Sequence, residues 1–256
     1  AQDLRAYFLT MQYWLGGSYD NVAAMIRFLV GRYAPDPEWR KAEAPAPIVY
    51  PDVALYHPDL PGHKIVTEVK DLPGPKKPVA TVGILMLRSY VLASDCAHYD
   101  ATIRALEARG IKVIPAFAGG LDGRPAIDAF FRDRAGPKID ALISLTGFSL
   151  VGGPAYNDSD AAVTVLRGLD VPYIAAHPLE FQTLGQWAAS SGGLGPVETT
   201  MLIALPEIDG ATCPTVFGGR HGPEGCAGCN RECACAAANK QMAPCLERID
   251  TLAARA

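Results

Sequence analysis

The chain is 256 residues long, 49% hydrophobic and 20% charged, with a formal net charge of −4. That length buries a sizeable core in one large domain or two small ones. The weak acidity excludes the basic footprint of a nucleic-acid or anionic-membrane binder, and no apolar run reaches the roughly 18 residues that span a bilayer. No charged segment followed by an apolar one opens the sequence, so it reads as a soluble, cytoplasmic protein. Ala1 in place of an initiating Met, and helical periodicity running to both ends, predict an internal fragment of a longer polypeptide.

Residues 3–15 and 21–33 each carry helical apolar spacing: Leu4, Tyr7, Phe8, Met11 and Trp14 in the first, Val22, Met25, Ile26, Leu29 and Tyr33 in the second. Gly16 and Gly17 separate them, with Ser18 or Asp20 available as N-cap. Residues 34–78 hold ten prolines and predict a long connection with short strands at most, such as Ile65 to Val69. From residue 79 the pattern alternates. Strands are expected at 79–87, 112–117, 141–145, 173–176 and 201–205, with helices at 95–109, 125–134, 159–167 and 179–189 between them. The expected fold class is α/β: a doubly wound, mostly parallel five-stranded sheet, preceded by a helical segment and followed by a Cys-rich tail. The division expected is 1–78 (helices and Pro-rich connection, part of a larger domain), 79–210 (α/β domain) and 211–256 (Cys-rich tail and the start of a further helix).

Open parallel sheets bind ligands beyond the carboxyl ends of their strands. Those ends carry Arg88-Ser89-Tyr90 with Asp95 and His98, then Gly119-Gly120, Thr146-Gly147-Phe148-Ser149, His177 with Glu180, and Glu207. A strand-end Arg beside a cleft suits a carboxylate, whereas Asp95 also serves as a helix cap and the glycines as turn residues. No P-loop, no G-x-G-x-x-G after the first strand, no G-x-S-x-G and no H-E-x-x-H occurs, which argues against nucleotide binding, a dinucleotide domain, a serine hydrolase and a zincin.

Five cysteines fall within twenty residues, spaced C-x2-C-x3-C-x-C-x9-C. Cys226, Cys229 and Cys233 can face one point, with Cys245 as fourth thiolate and Cys235 in reserve, because the one-residue gap from Cys233 makes joint ligation awkward. A [4Fe–4S] cluster suits this asymmetric spacing, while structural zinc and free thiols remain alternatives.

The strings Met11-Gln12-Tyr13-Trp14-Leu15-Gly16-Gly17-Ser18, Tyr50-Pro51-Asp52-Val53, Tyr56-His57-Pro58 and Leu145 through Pro154 resemble the large (H) subunit of magnesium chelatases, of the bacteriochlorophyll-pathway type. His177-Pro178-Leu179-Glu180-Phe181-Gln182 and Ala204 through Gly210 extend the resemblance, and the cobaltochelatase large subunit is a relative. The resemblance implies a porphyrin-binding ligase subunit that inserts Mg2+ into protoporphyrin IX, with ATP hydrolysed on two AAA+-type partner subunits. Propionates need a cation and a flat ring needs apolar walls. Arg88, Tyr90, His98, Phe148, His177 and Glu180 are therefore the candidate porphyrin contacts; no catalytic residue is assigned. Three other readings are a non-catalytic, redox-sensing iron–sulfur module of the complex, a cobaltochelatase-type subunit acting on a corrinoid, and a periplasmic-type small-molecule binder that the missing leader disfavours.

Overall fold

The computed structural model describes residues 2–153, 156–220 and 241–256. The chain divides into two compact units, one of residues 1–51 and 89–95 and the other of residues 52–88 and 96–256.

The smaller unit is built on α1 (Gln2–Gly16) and α2 (Tyr19–Tyr33). Ser18 is the N-cap of α2, its side chain accepting the Asn21 N–H at 3.0 Å. Ala6 and Tyr13 of α1 are buried, and Tyr13 packs on Phe28 of α2 with ring centroids 6.1 Å apart. Leu4, Tyr7, Phe8, Trp14 and Leu15 occupy the opposite face of α1 and are exposed. The apolar stripe that marks α1 in the sequence is thus not the stripe that α1 buries.

The larger unit holds an eight-stranded sheet, among the described residues, in the order β10-β9-β8-β7-β3-β4-β1-β2. In chain order the strands are β1 (Ala54–Tyr56), β2 (Ile65–Val66), β3 (Ala80–Leu87), β4 (Ile111–Ala118), the separate hairpin of β5 (Arg132–Asp133) and β6 (Gly136–Pro137), β7 (Ala141–Ser144), β8 (Tyr173–Leu179), β9 (Thr212–Arg220) and β10 (Met242–Pro244). The pairs β4/β3, β3/β7, β7/β8 and β8/β9 are parallel, while β1, β2 and β10 add antiparallel edges. The fold is therefore mixed α/β with a mostly parallel sheet. The sheet extends beyond residues 79–210 in both directions.

The crossovers α4 (Ala97–Glu107), α5 (Arg124–Ala126) with the π-turn Ile127–Phe131, and α6 (Ser159–Leu169) are placed as the alternation requires. Leu85, Ala116, Leu142 and Ala175 face Phe131, Val165 and Leu169 in one core layer. α4 packs with α10 (Leu246–Arg255), on a layer where His98 stacks on Phe217 at 5.4 Å. At Gly83 an added Cβ would lie 2.9 Å from Ile139 Cδ1 and 3.1 Å from the Phe131 ring, so β3 passes close under its helical cover.

Two sequence expectations fail between β8 and β9. Residues 201–205 are not a strand: Thr199–Ala204 is a π-helix and Leu205–Ile208 is α9. The fifth parallel strand is β9, which begins seven residues later. A short apolar run such as Met201 to Leu205 carries no period of its own, and Pro196 at the first turn of α8 (Pro196–Glu198) sets the segment helical. The helix expected at 179–189 shrinks to α7 (Leu184–Ala189), because β8 runs on through Leu179 and the Thr183/Gln186 capping box starts the helix later.

Candidate functional site

The chain leaves β3 towards β4 on one side and later resumes at β7 on the other, so the order of the parallel strands reverses between β3 and β7. At such a point the crossover helices lie on opposite faces and the carboxyl ends of the strands open a crevice. Here it is a cavity of about 20 Å3, lined by Leu85, Ala118, Gly120, Asp122, Thr146 and Phe148 among others. That space suits one water molecule. A flat macrocycle can meet this edge only from outside.

The loop after β7 shapes the crevice. Thr146 Oγ1 lies 2.9 Å from Ser144 Oγ. Gly147 has φ +77°, and a Cβ there would stand 3.0 Å from Pro178 and 3.1 Å from Leu202. Only glycine turns the chain through that gap without strain. The Leu150 carbonyl accepts Gly123 N–H at 2.9 Å, joining this loop to the one after β4. Across from it Arg124 grips Asp122, with Nε at 3.0 and 2.9 Å and Nη2 at 2.6 Å from the carboxylate oxygens. Burial raises Asp122, but the Arg124 hydrogen bonds outweigh it and hold the carboxyl below its usual range. Sequence reasoning missed this pair; its signal was two charges flanking Gly123 at a strand end.

The six candidate contacts do not converge. Arg88 directly follows β3, with Nη2 3.8 Å from the exposed carboxylate of Asp52. Phe148 is 9% exposed and lines the crevice. Tyr90 lies on α3 (Arg88–Leu92), in the stretch that belongs to the smaller unit. His98 is fully buried, stacked on Tyr99 at 4.0 Å, and burial lowers its pKa to about 3. It is a neutral core residue. His177 is buried within β8, has no hydrogen-bond partner among the described residues, and is lowered by burial to about 4. Glu180 is exposed, and its backbone carbonyl accepts Arg220 Nε at 3.1 Å. Of the six, Phe148 alone lines the switch-point crevice, together with Asp122, while Arg88 follows β3 at its carboxyl end.

Away from this edge, His57, Asp59 and Glu107 have ligand atoms within 4.8 Å of one another. The hydrogen bonds argue against a metal there. Asp59 N–H donates to His57 Nδ1 at 3.2 Å, so Nδ1 has no proton and Nε2–H faces Glu107 Oε1 at 3.2 Å. A metal on Nε2 would require a proton on Nδ1, facing another donor. Arg104 also holds Asp59 at 2.7 Å. The cluster is a satisfied structural one. Cys226, Cys229, Cys233 and Cys235 lie outside the described residues; Cys245 immediately precedes α10 as a free, half-buried thiol.

The family described as CobN/Magnesium Chelatase matches residues 11–256. The chain belongs to the CobN/magnesium chelatase family. It is 68% identical over 256 residues to the H subunit of magnesium chelatase from Cereibacter sphaeroides, covering 99% of this chain and 21% of that protein. The aerobic cobaltochelatase subunit CobN of Sinorhizobium is 32% identical over 133 residues, 51% of this chain and 10% of that protein. In three dimensions the chain is similar to the catalytic subunit of cobaltochelatase from Mycobacterium tuberculosis, with a TM-score of 0.67 and 20% identity over 97% of this chain and 19% of that one. The chain spans about a fifth of the length of these magnesium-chelatase relatives. No helix among the described residues is long and apolar enough to cross a membrane.

Proposed function

We propose that this CobN/magnesium chelatase chain is part of the porphyrin-binding subunit of a magnesium chelatase, acting in (bacterio)chlorophyll synthesis. Mg2+ and protoporphyrin IX are its substrates, and ATP is hydrolysed on AAA+-type partner subunits. The observation that carries this is the 68% identity to the large subunit of a magnesium chelatase along the whole chain, against 32% over half of it for the cobalt enzyme. The lack of any P-loop in the sequence agrees with ATP chemistry elsewhere.

Insertion must release two pyrrole N–H protons and strip water from Mg2+, which gives up its hydration shell reluctantly. The switch-point edge contributes to binding. Arg88, at the carboxyl end of β3, pairs with a propionate, and Phe148 lies against the ring. Glu180 is an outer contact of the same edge. His98 and His177 act from within, by packing. Arg88→Ala should weaken protoporphyrin IX roughly tenfold while leaving its dimethyl ester unchanged, since only the acid pairs with guanidinium. Fluorescence titration of both ligands decides it. Equal losses would mean that Arg88 acts through folding.

A [4Fe–4S] cluster on Cys226, Cys229, Cys233 and Cys245 remains part of this proposal. Cys245 is the N-cap residue of α10, half-buried and not in a disulfide. Anaerobic purification should yield iron and acid-labile sulfide, both lowered by Cys245→Ala. One equivalent of zinc without sulfide would replace the cluster by a structural site.

A further inference from the structure

Asp209 follows α9 and is 1% exposed. A buried carboxylate is costly, and a fold retains one where it is used. Its Oδ2 accepts two hydrogen bonds at 2.8 Å, one from the Ser149 hydroxyl and one from the Leu150 backbone N–H. Ser149 itself is 1% exposed, so both tethers are dry. They join the connection before β9 to the loop after β7, some sixty residues earlier. That loop carries Gly147 and Phe148, and its Leu150 carbonyl is the group that Gly123 holds from the other side. The loop is thus held from two sides at Leu150, by the β4 turn through its carbonyl and by Asp209 through its N–H.

The other carboxylate oxygen, Oδ1, is buried with no hydrogen-bond partner among the described residues. Tyr173 stays a neutral phenol: burial, then the nearby Asp209 charge, push it above its usual range.

We propose that Asp209 is a positioning residue: through Ser149 and Leu150 it fixes the Thr146–Val151 loop, which places Phe148 at the switch-point crevice and so sets affinity for a flat aromatic macrocycle at that edge. The link to affinity rests on the porphyrin-contact reading above; the tether itself does not. Asn has the shape to keep the tether, turning its carbonyl to Ser149 and Leu150 and its amide toward the Tyr173 side. Ala has no acceptor.

The test measures amide exchange at Leu150 and protoporphyrin affinity in the full chain, for Asp209→Asn and Asp209→Ala. Asp209→Ala should speed Leu150 exchange by on the order of tenfold or more and weaken porphyrin by about the same factor, as expected for losing hydrogen bonds to a charged group. Asp209→Asn should stay close to the unsubstituted chain in both. Leu150 remaining protected in Asp209→Ala overturns the proposal. So does an Asp209→Asn chain that keeps Leu150 protected yet loses affinity as fully as Asp209→Ala, since the charge itself would then meet the ligand. If the alanine variant does not fold, Ser149→Ala removes one tether and should still speed Leu150 exchange severalfold; no change there also overturns it. Failure of the unsubstituted chain to bind porphyrin strikes the functional reading alone, and Leu150 exchange then decides the tether.

Discussion

Asn21 shows how one side chain can stand in for secondary structure. It is fully buried, its Nδ2 donates to the Ile48 carbonyl at 2.9 Å and its Oδ1 accepts the Ile48 N–H at 2.8 Å. The Pro-rich segment that has no regular partner is thereby paired as if by a strand. Gly16 is needed to admit it, because a Cβ there would clash with Asn21 Nδ2. Asn21→Leu keeps the branched shape and orphans both Ile48 groups, so chemical denaturation should show a loss of about 2–3 kcal/mol. A loss below about 0.5 kcal/mol would mean that water takes over both bonds. Ser18 belongs to a string by which the sequence resembles the chelatases, and here it caps α2 while Asn21 pairs the backbone. The positions of Arg88 and Phe148 just beyond β3 and β7 were legible, because each apolar run ends shortly before them. His98 was not, since its stacking partner Phe217 lies 119 positions away and no local period announces it.

At the scale of elements, period was a sound guide wherever a segment was long. α1, α2, α4, β3 and β4 lie close to where apolar spacing puts them. It failed at β9, whose sequence of Thr212 to Arg220 contains Pro214, Gly218 and Gly219 and reads as a loop. Those glycines answer to neighbours: a Cβ at Gly218 would come 2.8 Å from the Ala243 carbonyl and from His98 Cβ. A Cβ at Gly219 would meet Leu179 at 2.8 Å. The edge strand β10 and the tight fit of α4 thus dictate a composition that strand propensity disfavours. The converse error, a strand placed at residues 201–205, comes from the same cause. Five apolar residues fit either element until their flanks decide.

For the whole molecule, two buried imidazoles make stability depend on pH. In the unfolded chain both titrate near 6.5, whereas in the fold burial lowers His98 to about 3 and His177 to about 4. Above about pH 6.5 neither state binds the protons, and stability is complete. As pH falls from there towards 4 the unfolded chain gains protons that the fold refuses, so stability is progressively lost. The thermal midpoint should therefore be flat above about pH 7 and decline between pH 6.5 and 4. His98→Phe, which keeps a ring on Phe217, should make the decline between pH 6.5 and 5 shallower, ahead of most carboxylate titration. An unchanged slope in that window would show that His98 is not the source.

The sequence by itself determined the α/β class, the succession of the long elements, the family, and the absence of a nucleotide loop. These depend on local period and on strings of adjacent residues. Only the tertiary structure decided the strand order, the reversal between β3 and β7, the edges β1, β2 and β10, and the tether from Asp209 to the loop after β7. An alternating pattern states that a strand is buried, and on which faces, but not beside which neighbour. Strand order is set by which crossovers pack together, and that is a property of residues far apart in the chain.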